Sequence, residues 1–100
     1  MIDWARVERF EWDDGNARKS GDKHGVDQAE AEQAFFNEPL LIVEDPGHSA
    51  HEARLHALGR TDEGRRLHIS FTLRSDGRRI RVISARDMSR KERVRYAQES

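Results

Sequence analysis

The span from Arg65 to Arg86 leaves this chain the least conformational freedom. Leu67, Ile69, Phe71 and Leu73 alternate with His68, Ser70, Thr72 and Arg74. A period of two predicts a strand with one buried face. Ser75-Asp76-Gly77 follows as a turn, with Gly77 free to take a positive φ. Arg79 to Arg86, rich in Ile and Val, is then the returning strand. The apolar side of this hairpin can seat a core. The other side sets His and Arg on a rigid sheet, a surface suited to a phosphate chain.

The remaining segments are shorter. Val7 to Trp12 alternates as a first strand. Asp13 or Asp14 caps a helix that reaches about His24 and stops at Gly25, with Lys23 and His24 in its last turn. Asp27 caps a second helix through a box with Glu30, with Val26 as a staple. This helix carries Ala29, Ala31, Ala34, Phe35 and Phe36 and ends by Pro39. Leu40 to Glu44 and Arg54 to Gly59 read as strands, with a loop at 45–49 and a turn at 60–64. Ser89 and Glu92 form a capping box for a last helix to about Gln98, which with only Val94 and Tyr96 set among Arg and Lys can barely anchor itself. Phe10, Trp12, Phe35, Phe36, Phe71 and Val82 are assigned to the core. The fold class is α+β: a mostly antiparallel sheet, two helices in the N-terminal half and one at the C-terminus, the helices on one face, in a single domain over 1–100.

Net charge is −1, but the two halves differ. Up to Glu52 there are five basic residues against thirteen acidic ones, a net of about −8. From Arg54 to Arg95 the counts reverse, a net of about +8, and twelve of those thirteen bases are Arg. Two outcomes follow: a basic face for a polyanion, or two halves that neutralise each other in space. Arginine presents a planar fork that suits phosphate. Cysteine is absent, so disulfides and thiolate metal sites are excluded and a reducing cytoplasm is the expected setting. No apolar run approaches the ~20 residues of a membrane span, and the first residues lack a signal-peptide pattern.

A set of segments in order resembles the BrnT family of type II toxins. They are Phe10-Glu11-Trp12-Asp13, Asn16, Lys23-His24-Gly25-Val26, His48-Ser49, Glu52 with Arg54, Gly59, Ile80 to Arg86, Glu92-Arg93 and Tyr96. The resemblance implies a small cytoplasmic bacterial toxin with a RelE-like fold and ribonuclease activity that stops translation. It also implies a BrnA-type ribbon-helix-helix antitoxin, with promoter DNA bound only through the toxin–antitoxin complex. The sequence departs from the family pattern at Asn37-Glu38-Pro39, where Asp-Pro is more usual. It departs again at His68 and Ser70, where aliphatic residues are frequent.

RNA cleavage without a metal needs a group to assist the 2′-OH, cations for the phosphoryl oxygens and an acid for the leaving oxygen. His68 as acid or base and Arg81 as phosphate clamp are the first candidates, because strand parity puts both on the polar face. Their ordinary alternatives are a surface histidine and an ion pair with Glu52 or Glu44. Arg54 and His56 extend the same surface from a neighbouring strand, and Arg79 joins it. Arg86 either binds phosphate or ties the last helix to the sheet. Arg93 and Tyr96 share a helical face, where Tyr96 either stacks on RNA or packs the helix. Lys19, Lys23 and His24 form a basic group with an equally good local explanation at a helix C-terminus. His48, His51 and His56 lack the ligand pattern of a zinc site, so no metal and no cofactor is expected. The alternative to a ribonuclease is a non-catalytic module that binds antitoxin or nucleic acid.

Overall fold

The computed structural model describes residues 4–45, 54–75 and 77–99, with the side chains of residues 14, 16, 17 and 45 excepted. His48, Ser49, His51 and Glu52, and with Glu52 one of the two ion-pair partners anticipated for Arg81, lie outside the described residues. A 3-10 turn at Trp4–Arg6 precedes β1 (Arg9–Glu11), α1 (Asp14–His24), α2 (Gln28–Ala34), β2 (Leu41–Asp45), β3 (Arg54–Arg60), β4 (Arg66–Arg74), β5 (Arg79–Asp87) and α3 (Arg90–Glu99). The strands form one sheet in the order β1-β5-β4-β3-β2. Three pairings are antiparallel, and β1 runs parallel to β5 at the edge. No helix among the described residues is long and apolar enough to cross a membrane.

The helix ends follow local chemistry. Gly25 sits at φ +65, and the Val26 N–H reaches back to the Ser20 carbonyl at 3.0 Å, closing α1. Asp27 and Glu30 complete the capping box of α2, and Ser89 and Glu92 complete that of α3 at 2.8 and 3.3 Å. The first strand is shorter than the alternation from Val7 suggests. It ends at Glu11, so among the described residues the outer edge of β5 has no strand partner beyond Arg81. Ser20, fully buried on α1, covers part of that edge by accepting the Ala85 N–H at 3.1 Å.

The core lies between one sheet face and α1 with α2. Leu55, Ala57, Leu67, Ile69, Phe71, Ile80, Val82 and Ala85 meet Val26, Ala31, Ala34 and Phe35 there. The Phe35 ring stands edge-on to Phe71 at 5.2 Å. Two expectations need correction. The helices do not share one face: α3 packs on the opposite side, where Tyr96 and Met88 cover Leu58 beside Leu41. Phe36 is not a core residue, being 77% exposed, because α2 ends at Ala34 and Phe36 follows its C-cap residue, Phe35, pointing outward.

Arg65 ties the layers together. Its guanidinium donates to both Asp87 oxygens at 2.7 and 3.1 Å. It also donates to the Gly25 and His24 carbonyls at 2.7 and 3.1 Å and to Glu30 at 3.2 Å. It therefore satisfies orphan carbonyls at the end of α1 while bridging to α2 and β5. The bonds from Arg65 hold the Asp87 carboxyl below its ordinary range. Replacing Arg65 by Ala is expected to cost about 1–2 kcal/mol, discounted for partial exposure. Urea unfolding checks this; a midpoint equal to that of the parent would refute it.

Candidate active site

The second face of the sheet is built in cross-strand rows. Arg54, Thr72 and Arg81 are opposed in one row. His56, Ser70 and Ser84 form the next, and Leu58, His68 and Arg86 the one after. Neighbouring rows are about 7 Å apart. A bulge decides this arrangement. Ser70 pairs with Ser84 but Phe71 pairs with Val82, so Ile83 is an extra residue in β5. Strict alternation would send Arg81 and Arg86 to opposite faces; the bulge returns Arg86 to the face that holds Arg81 and His68.

The closest functional grouping is the imidazole pair. The His56 and His68 rings lie 4.9 Å apart, tilted by 34°. His56 Nδ1 shares a hydrogen bond with Ser70 Oγ at 2.9 Å. Ser70 is buried, so this bond fixes the ring by its δ side. The His68 side chain is 13% exposed, and its Nε2 stands 3.7 Å from Glu92 Oε2. That is too long for a hydrogen bond. His68 Nδ1 is buried without a hydrogen-bond partner among the described residues. Desolvation, then the Arg86 charge, pushes the imidazole below its ordinary pKa, with Glu92 acting in the opposite sense. His68 is therefore neutral at pH 7 and able to accept a proton.

Glu92 is held in place. Arg86 grips its carboxylate with bonds of 2.9 and 3.1 Å and also reaches the Asp87 carbonyl. Burial alone would raise the Glu92 carboxyl. The bonds from Arg86 and the Ser89 N–H, with the neighbouring charges, outweigh it and bring the value to about 2. A groove of about 240 Å³ opens over these groups, lined by Val43, His56, Leu58, His68, Lys91, Glu92 and Arg95. Lys91 and Arg95 are exposed and stand four residues apart on α3. Among the described residues no group of three or more His, Cys, Asp or Glu can hold a metal ion.

The other sequence candidates are distributed differently. Arg81 shares the face with His68 but lies two rows away, about 13 Å along β4, and pairs with Asp13 at 3.1 Å. Arg79 pairs with Glu11 at 2.7 Å, which lowers the Glu11 carboxyl. Arg54 flanks Thr72 opposite Arg81. Arg93 donates to the Met88 carbonyl at 2.9 Å. Tyr96 is buried and donates to the Pro39 carbonyl at 2.6 Å, which is the packing role. Lys19 and Lys23 are exposed and His24 half-buried on α1, in the layer on the other side of the sheet. Acids of the first half thus neutralise Arg65, Arg79 and Arg81 of the second. Lys91 and Arg95 were not singled out from the sequence, where Ser70 was named only as a departure from the family pattern and Glu92 only as a helix cap and a family match. The i, i+4 spacing of Lys91 and Arg95 was the available signal for both.

A profile of the family described as "Ribonuclease toxin, BrnT, of type II toxin-antitoxin system" matches residues 12–92. The chain belongs to the BrnT family. Its fold is similar to that of the Brucella abortus ribonuclease toxin BrnT, solved at 1.1 Å. The two share 22% identity over 84% of this chain and 100% of that one, with a TM-score of 0.60. No curated protein sequence matches the chain. The BrnT match spans the imidazole pair, Arg86 and Glu92. Membership in this family makes the chain a ribonuclease toxin with an antitoxin partner.

Proposed function

We propose that this chain is a cytoplasmic toxin, one domain over 1–100, that cleaves RNA without a metal ion. In the same proposal, a BrnA-type ribbon-helix-helix antitoxin neutralises it, and promoter DNA is bound only by their complex. The observation that carries the proposal is the pair of imidazoles 4.9 Å apart in an open groove with Lys91 and Arg95 on its wall. His68, neutral at pH 7, takes the proton from a ribose 2′-OH as that oxygen bonds to the adjacent phosphorus. The bond from phosphorus to the 5′-oxygen breaks, and His56 gives that oxygen a proton. The products are a 2′,3′-cyclic phosphate and a 5′-hydroxyl. Lys91 and Arg95 stabilise charge on the phosphoryl oxygens. Arg54 and Arg81 hold the chain further along the face. Glu92 and Arg86 position His68.

The test is cleavage of RNA by purified protein in EDTA, with growth arrest on induction followed in parallel. Cyclic-phosphate ends produced in EDTA are the expected result. Intact RNA would favour the non-catalytic module, a reading that draws on the internal pairing of Arg79, Arg81 and Arg86. Removing Lys91 and Arg95 together is expected to weaken RNA binding and to lower the salt slope by about 1–2. A slope equal to that of the parent would exclude these side chains from phosphate contact.

A further inference from the structure

A second groove lies away from the imidazoles. It is lined by Trp4, Val7, Phe10, Phe35, Phe36 and Ile80, with Glu8, Arg9 and Glu32 at its rim, and measures about 550 Å³. A smaller depression continues it past Trp4 and Phe36 to Glu38, Leu40 and Ile42. Phe36 is 77% exposed and Trp4 41%, two of the three large exposed apolar side chains among the described residues. They are not loosely attached. Phe36 packs on Phe10 at 6.0 Å, Phe10 and Trp4 on Phe35 at 5.3 and 6.0 Å, and Phe35 on the core ring of Phe71. Exposed aromatic rings fixed from beneath lose little entropy when covered, which is the property of binding anchors. An apolar groove of this kind marks an interaction site.

The rim selects the occupant. Glu8, Glu32 and Glu38 stand against Arg9, which repels a polyanion and favours a cationic partner. The chain belongs to a family that works with an antitoxin. We propose that this groove docks the antitoxin through a segment that combines aliphatic or aromatic side chains with flanking Lys or Arg. The groove lies at the junction of β1 and α2, and the imidazole groove on the face covered by α3. Docking is therefore separable from catalysis: the toxin can be made active yet resistant to neutralisation.

Phe36→Asp tests this, because the side chain is too exposed for the fold to depend on it. Trp4→Asp and the double reversal Glu8→Lys with Glu38→Lys are companions. The probe is the cognate antitoxin, co-expressed for growth and titrated in purified form. The expected result is growth arrest equal to that of the parent, failed rescue by antitoxin, and affinity reduced about 10- to 100-fold. Full rescue with unchanged affinity would overturn the proposal. If Phe36→Asp instead abolishes self-association in light scattering while rescue persists, the groove joins two copies of the chain. If it weakens RNA binding with rescue intact, the occupant is RNA. Either result overturns the antitoxin assignment. Loss of arrest in His68→Ala concerns the other groove and leaves this outcome unchanged.

Discussion

Replacing His68 with Ala is expected to reduce RNA cleavage by about 10²- to 10⁴-fold, the range for losing a general base or acid, and to abolish growth arrest. His56→Ala should fall in the same range. The double variant should lose little more, because the two rings act on one reaction. The pH dependence separates chemistry from structure. His68 lies below its ordinary value of 6.5, first through burial and then through Arg86. The acid limb of kcat/KM should therefore sit below pH 6.5, with activity falling as pH drops through it. Glu92 raises the His68 value, so Glu92→Gln should move that limb to still lower pH. Stability follows the same sign. Both groups have lowered values in the folded chain, so each contribution is present above the unfolded value and lost on acidification. For Glu92 that window runs from 4.5 down to about 2. A folded His68→Ala protein, checked by circular dichroism, that cleaves within tenfold of the parent would remove the imidazole from the mechanism.

The elements were legible because their signals are local. Alternation from Leu67 to Leu73 fixed β4, and the boxes at Asp27–Glu30 and Ser89–Glu92 fixed two helix starts. Parity also put His56 and His68 on one face. Three things were not local. The extra residue at Ile83 changes which face Arg86 joins, and nothing in Ile-Arg-Val-Ile-Ser-Ala-Arg announces it. The parallel β1 brings Glu11 beside Arg79 across most of the chain, and Asp13 beside Arg81, so arginines that looked available for RNA are partly engaged. Glu92 read as a helix cap, which it is, and the same carboxylate also faces His68. Phe36 was misplaced because helical spacing does not reveal that α2 ends at Ala34.

Gly59→Ala is expected to destabilise the protein by about 2–3 kcal/mol, because overpacking a tight contact forces backbone to move. In a domain of this size that lowers Tm by roughly 10–20 °C. Gly59 pairs with Leu67 in the sheet and lies under the last turn of α2. A Cβ there would stand 2.7 Å from the Ala34 carbonyl oxygen and 3.2 Å from the Ala34 Cβ. Neither neighbour is the end of a flexible chain, and Ala34 itself is fully buried against the core. Relief requires lifting α2 from β3, and with it the Phe35 ring from Phe71. Gly21→Ala is the matched control. A Cβ at Gly21 meets nothing within 4 Å on the exposed side of α1, so the helix should gain about 0.5–1 kcal/mol. The two substitutions add the same methyl group and should move the thermal midpoint in opposite directions. Equal midpoints for Gly59→Ala and the parent would mean that α2 does not approach the sheet this closely in solution.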